Sequence, residues 1–253
     1  PQGPAEDADR SARALPMTDE ALRAVLAAEA DPRIPPPRAI VFDWDNTLVD
    51  TWPNITATMN ATLAAMGQPT WSPAEAKKRI ARSLRVSFPE LFCDRWEEAR
   101  DIFYAELERG HLARLAPLPG AEAVLAHFHA AGVPLAVVSN KTAVYLHREV
   151  AHLGWEHYFS AVFGAGELPR DKPAPDAVFA FLARAGLAPG RDIWFVGDSS
   201  VDVEIAHAAG CASVLVWGGE GDMPACATAP TVVVRECAAL PGLAGFDIPR
   251  RNT

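Results

Sequence analysis

Asp43 and Asp45 stand at the end of an apolar run in VFDWDNTLVD (41–50), two carboxylates separated only by Trp44. Residues i and i+2 of a strand face the same side, about 6.5 to 7 Å apart. Both acids would then look into one space, with Trp44 turned the other way into packing. That spacing leaves room for a group held between them. Other apolar runs close on Ser139-Asn140-Lys141 and on Gly197-Asp198, with Asp202 one helical turn beyond, and a further run leads through a loop to Asp171-Lys172-Pro173. Each has an ordinary explanation alone. A D-x-D is commonly a turn or cap, Ser139-Asn140 would serve as a helix cap, and Lys172 would pass as a loop lysine. Occurring together at strand ends, they gather four aspartates, a hydroxyl, an amide and a lysine at one edge. Clustered carboxylates with a lysine point to a divalent cation held by oxygen ligands. The Asp-x-Asp-Asn opening also fits the start of an EF-hand loop, which needs Gly at position six and Glu at position twelve. Those positions hold Leu48 and Asn54, which excludes that loop.

The elements that must position these residues follow a rhythm. AIVFDW, GVPLAVVSN (132–140), SAVFGAG (160–166), DIWFVGD (192–198) and ASVLVWG (212–218) read as short, nearly continuous apolar strands. That pattern means burial on both faces, as in a parallel sheet covered by helices. Helical patterns lie between them at 120–131, 142–153, 175–186 and 201–209, each followed by a glycine suited to a C-cap. The order is that of an α/β doubly wound, Rossmann-like parallel sheet, in which ligands bind beyond the carboxyl ends of the strands. Residues 53–116 break the rhythm: helical patterns at 54–66, 73–83 and 95–110 and no convincing strand, a small helical module set after the first strand. Ser72-Pro73-Ala74-Glu75 supplies a cap, a first-turn proline and a first-turn acid. A last strand is expected at TVVV (231–234). The proline- and alanine-rich residues 1–37 read as an N-terminal extension, partly disordered.

A chain of 253 residues, 49% hydrophobic and 22% charged, is long and apolar enough for a real core. Its net charge of -9 argues against non-specific binding to nucleic acid or anionic membranes. No apolar run approaches the roughly 18 residues needed to span a bilayer. Four scattered cysteines without metal spacing read as reduced thiols, and the expected location is cytoplasmic.

The set D-x-D-x-T (43–47), Ser139, Lys172 and G-D-x-x-x-D (197–202) resembles the signature of the haloacid dehalogenase-like hydrolase superfamily. The likeness covers about residues 38–217, with the helical module where that family's C1-type cap belongs. NKT after Ser139, DKPAPD and GDSSVDVEIAHAAG are closest to its phosphoglycolate phosphatase-like branch. The resemblance implies an α/β core (38–52 and 117–253), an inserted α-helical cap domain (53–116) and a Mg²⁺-dependent phosphatase. Its substrate would be a small phosphorylated metabolite, a phosphoglycolate-like phosphomonoester, hydrolysed through an aspartyl-phosphate by a monomer or homodimer. Asp43 would be the nucleophile and Asp45 the general acid, later the base. Lys172 would neutralise Asp43 and the phosphate, whose oxygens Ser139 and the Asn140 backbone NH would hold. Mg²⁺ would sit between Asp43, the Asp45 backbone carbonyl and Asp198, with Asp202 completing or orienting the shell. Asn46 departs from the family's usual glycine, but Asn tolerates unusual backbone angles well. In the basic run KKRIARSLR, Arg82 and Arg85 are the candidate substrate contacts, against a solvated helix face for most of its charges. Two alternatives share the core motifs: a β-phosphoglucomutase-like phosphotransferase, and a catalytically silent binding module.

Overall fold

Strand β1 (Ala39–Phe42) is fully buried, and its alternate side chains separate two cores. The computed structural model describes residues 34–80, 84–219 and 223–244, with the side chains of 84–86 left aside. The expected N-terminal extension falls almost wholly outside that range. Strands β4 (Leu135–Thr142), β5 (Ala161–Ala165), β6 (Ile193–Gly197), β7 (Ala212–Val216) and β8 (Val232–Val234) join β1 in one six-stranded sheet, ordered β5-β4-β1-β6-β7-β8. All pairings are parallel, and β1 lies between β4 and β6. The chain passes from β1 outward to β4 and β5, then returns to β6 on the other side, so the switch point lies at the end of β1.

On one face, Ile40 and Phe42 pack with α5 (Ala121–Ala130), α6 (Ala143–His152) and α9 (Leu240–Leu243). On the other, Ala39 and Val41 pack with α7 (Asp176–Ala185) and α8 (Ser200–Ala209). The period of two in β1 is thus read by both helical layers, as a doubly wound sheet requires.

Between β1 and β4 the chain leaves the sheet. A short antiparallel ribbon, β2 (Val49–Asp50) with β3 (Ala116–Pro117), closes the excursion by pairing Val49 with Pro117 and Asp50 with Ala116. Inside it run α1 (Trp52–Ala65), α2 (Pro73–Arg79), α3 (Leu84–Phe92) and α4 (Trp96–Gly110). These helices share a core of their own, including Met59, Leu63, Trp71, Phe88, Phe92 and Phe103. Ser72 and Glu75 cap α2 reciprocally, the Glu75 NH donating to Ser72 Oγ at 3.3 Å and the Ser72 NH to Glu75 Oε2 at 2.8 Å.

Two local expectations are corrected. VSFPELF, which falls between the helical patterns expected at 73–83 and 95–110, lies within a further helix, α3, although Pro89 is inside it. Phe88 and Phe92 are one turn apart, both buried and in edge contact with centroids 5.2 Å apart. Burying two such side chains yields about 1.5–3 kcal/mol each, enough to offset the roughly 3 kcal/mol that an interior proline costs. The β2–β3 ribbon was also missed, since two-residue strands carry no readable alternation. No described helix is long and apolar enough to cross a membrane.

Candidate active site

The β1 chain runs on past Phe42, the Asp43 NH donating to the Val196 carbonyl at 2.8 Å. This extension fixes the Asp43 backbone against the end of β6. Asn46 turns the chain with φ 58°, the left-handed conformation that Asn tolerates. Its side-chain oxygen accepts from the Thr51 hydroxyl at 3.1 Å, which closes the turn.

Gly197 ends β6, Asp198 follows it directly, and α8 begins at Ser200. A Cβ on Gly197 would lie 2.2 Å from Asp202 Cγ, so the glycine is what admits that carboxylate against the strand. Asp202 Oδ2 accepts from the Ser199 NH at 3.0 Å and from its hydroxyl at 2.6 Å. Asp202 Oδ1 accepts from Lys172 Nζ at 2.8 Å, and the same ammonium donates to Asp43 Oδ1 at 2.5 Å. Lys172 therefore bridges the ends of β1 and α8. Its own loop is held in turn by the Asn140 side-chain amide, which donates to the Lys172 carbonyl at 3.2 Å.

Asp43, Asp45, Ser139, Asn140, Lys172 and Asp198 line one cavity of about 310 Å³ at the carboxyl edge of the sheet. Asp202 closes behind Lys172. The sequence-derived core residues are thus brought together. Arg82 lies outside the described residues, and of Arg85 only the backbone, in α3, is described.

The electrostatics show a surplus of negative charge. Burial first, opposed by Lys172 and reinforced by Asp202 and Asp45, pushes the Asp43 carboxyl up to about 7. Burial and the neighbouring Asp43 and Asp202 push Asp198 up to about 8. Burial also raises Asp45, with Lys141 pulling the other way. Burial works against the Lys172 ammonium, but Asp43 and Asp202 outweigh it and hold its pKa above the ordinary value. Asp43, Asp198 and Asp202 each offer a carboxylate oxygen, and these lie within 4.8 Å of one another. A hard, all-oxygen donor set short of positive charge fits a divalent cation of the magnesium or calcium kind. The Asp45 side chain is not among these donors.

Asp45 instead meets residues that the sequence did not single out. Its Oδ1 accepts from Lys141 Nζ at 2.7 Å, and the same ammonium donates to Glu149 Oε2 at 2.6 Å. Glu149 is buried on α6, where it also accepts from Trp44 Nε1 at 2.7 Å and lies 3.1 Å from His111 Nδ1. Trp44 is therefore more than packing: its ring meets Trp155 edge-on while its NH joins this network. One signal was readable, because Glu149 falls on the buried stripe of α6 with Leu146 and Val150, where a carboxylate needs a partner.

The sequence profile of the haloacid dehalogenase-like hydrolases matches residues 40–216. The chain is 31% identical over 209 residues to phosphoglycolate phosphatase 1 of Pseudomonas aeruginosa, covering 78% of this chain and 76% of that protein. It is 35% identical over 202 residues to the phosphoglycolate phosphatase of Neisseria meningitidis, covering 74% and 83%. The crystal structure of a predicted phosphoglycolate phosphatase from Haemophilus somnus aligns with a TM-score of 0.70 at 26% identity, over 81% of this chain and 96% of that one. On a profile match across most of its length, the chain belongs to the haloacid dehalogenase-like hydrolases.

Proposed function

We propose that the protein is a Mg²⁺-dependent phosphatase that hydrolyses a small phosphorylated metabolite, a phosphoglycolate-like phosphomonoester, through an aspartyl-phosphate on Asp43. The observation that carries this reading is the Lys172 bridge. One buried ammonium holds Asp43 and Asp202 at 2.5 and 2.8 Å, and Lys172 lines the same cavity as Asp198 and Ser139. The relatives named phosphoglycolate phosphatase support the substrate class.

In this scheme Asp43 attacks phosphorus in line, forming a P–O bond as the ester P–O bond breaks. Asp45 gives its proton to the departing alkoxide. Water then loses a proton to Asp45 and attacks the same phosphorus, releasing phosphate and restoring Asp43. Ser139 and the Asn140 backbone NH hold phosphate oxygens, and Lys172 offsets charge on Asp43 and the phosphoryl group. A bound Mg²⁺, held by Asp43, Asp198, the Asp45 carbonyl and the Asp202 side of the cluster, would supply charge neutralisation at the phosphoryl oxygens. In the proposed core-and-cap division, the helical segment 53–116 selects the substrate, with Arg82 and Arg85 as contacts to the leaving group.

The test is release of p-nitrophenol from p-nitrophenyl phosphate with and without Mg²⁺, followed by a panel of phosphorylated metabolites. Mg²⁺-dependent release and preference for a small carboxylated phosphate ester are expected. No Mg²⁺-dependent release would refute the reading in favour of a silent module, and sugar-phosphate isomerisation in its favour would indicate a mutase.

A further inference from the structure

Beside the carboxylate cluster lies a second charged assembly that the hydrolysis scheme leaves unused. Glu149 is 1% exposed, in the middle of α6, and its carboxylate reaches three partners from three parts of the chain. Lys141 Nζ donates to Oε2 at 2.6 Å from the end of β4, and Trp44 Nε1 donates to it at 2.7 Å from between the two site aspartates. His111 Nδ1, also buried and immediately after α4, lies 3.1 Å from Oε1. His111 is set edge-on against Tyr145 of α6, ring centroids 5.1 Å apart, and Glu108 of α4 pairs with Arg148 of α6. Both ends of the Glu149 environment are therefore fixed.

A buried ion pair is a weak source of stability, because desolvation of both charges cancels most of the attraction. What it provides is direction. The Lys141 ammonium is held on one side by an immovable carboxylate and donates on the other to Asp45 Oδ1 at 2.7 Å. With Oδ1 engaged by Lys141, rotation of the Asp45 carboxyl about its own bond is restrained at the point where Asp45 lines the cavity.

We propose that Glu149 is a positioning residue for proton transfer, acting through Lys141 to set the orientation of the Asp45 carboxyl toward the leaving-group oxygen. This inference rests on the reading of Asp45 as the general acid. It requires that loss of Glu149 harm substrates in proportion to their need for a proton. An alkyl phosphate expels a basic alkoxide that must be protonated, whereas p-nitrophenyl phosphate expels a phenolate that leaves without help.

The experiment compares kcat/KM for phosphoglycolate and p-nitrophenyl phosphate, at saturating Mg²⁺, in the full-length protein and in D45N, E149Q and E149Q/D45N. Thermal melts accompany each variant. D45N should lose roughly 10²-fold or more on the alkyl ester and much less on the aryl ester. E149Q should show the same bias, with a loss at least about tenfold greater on the alkyl ester, and should add nothing in the D45N background. Equal losses on both esters, no loss on either, or additive losses in the double variant would overturn the proposal. If E149Q does not fold, K141Q takes its place, with Glu149 still held by Trp44 and His111. The same bias then supports the proposal and its absence overturns it. A D45N variant without substrate bias refutes the acid role of Asp45 itself, whereas bias in D45N alone refutes only the role of Glu149.

Discussion

At Asp45 two influences meet: burial raises its pKa and the Lys141 ammonium opposes the rise. Burial wins, and a raised value favours the protonated form that the proposed role as general acid needs. Replacing Asp45 by Asn would remove both of the duties proposed for it while keeping the shape and a donor and acceptor. Turnover of an alkyl phosphate is expected to fall by about 10²–10⁴-fold, with competitive inhibition by inorganic phosphate retained. Near-normal turnover in steady-state assays would remove Asp45 from the mechanism. Asp43, Asp45 and Asp198 were legible in the sequence because they follow apolar strands, and Asp202 because it lies one helical turn beyond Asp198. Glu149 was legible only as one acid on the apolar stripe of YLHREV (145–150), because its partners Trp44 and His111 are distant in sequence and only tertiary packing brings them to it.

Among the elements, the junction of β6 and α8 is the most tightly specified. The strand must end on a residue without a side chain, since a Cβ at Gly197 would meet Asp202 Cγ at 2.2 Å and its own Cβ at 2.4 Å. Gly197→Ala should push the first turn of α8 away and loosen the grip of Asp202 on both Ser199 and Lys172. A lower melting temperature together with loss of Mg²⁺ stimulation is expected, and a variant with wild-type Mg²⁺ response would show that the close approach is dispensable. The strand–helix alternation that builds this junction was legible from apolar runs and following glycines. Helix α3 was not, because Pro89 signals a break and only the paired burial of Phe88 and Phe92 overrides it.

For the molecule as a whole, the crowded carboxylates tie stability to pH. Asp43 and Asp198 stand near 7 and 8 when folded against 3.8 as ordinary aspartates. Raised values mean that the native state binds more protons than the unfolded chain, so the metal-free protein should lose stability as pH rises from about 4 toward 8. The raised Lys172 acts only above the ordinary lysine range, outside that window. A divalent cation held by Asp43, Asp198 and Asp202, Mg²⁺ in the proposed function, would bind their ionised forms, so the stabilisation it confers should grow as pH rises. Melting curves with and without Mg²⁺ at pH 6 and pH 8 should show the larger shift at pH 8, and equal shifts would contradict the charge surplus described for the site.

The small ribbon of β2 and β3 has a consequence for how such a protein can change over time. It brings the two ends of the helical insert side by side, pairing Asp50 with Ala116, while Val49 beside it bridges to Asp45. For ends already joined, lengthening the loop between them is cheap, about 0.6 kcal/mol for each doubling. The excursion can therefore grow, shrink or be exchanged with little strain on the sheet. Selection acting on the insert is in this sense decoupled from selection acting on Asp43, Lys172 and Asp198, so that, under the proposed division of core and cap, a lineage could acquire a new substrate without rebuilding its chemistry.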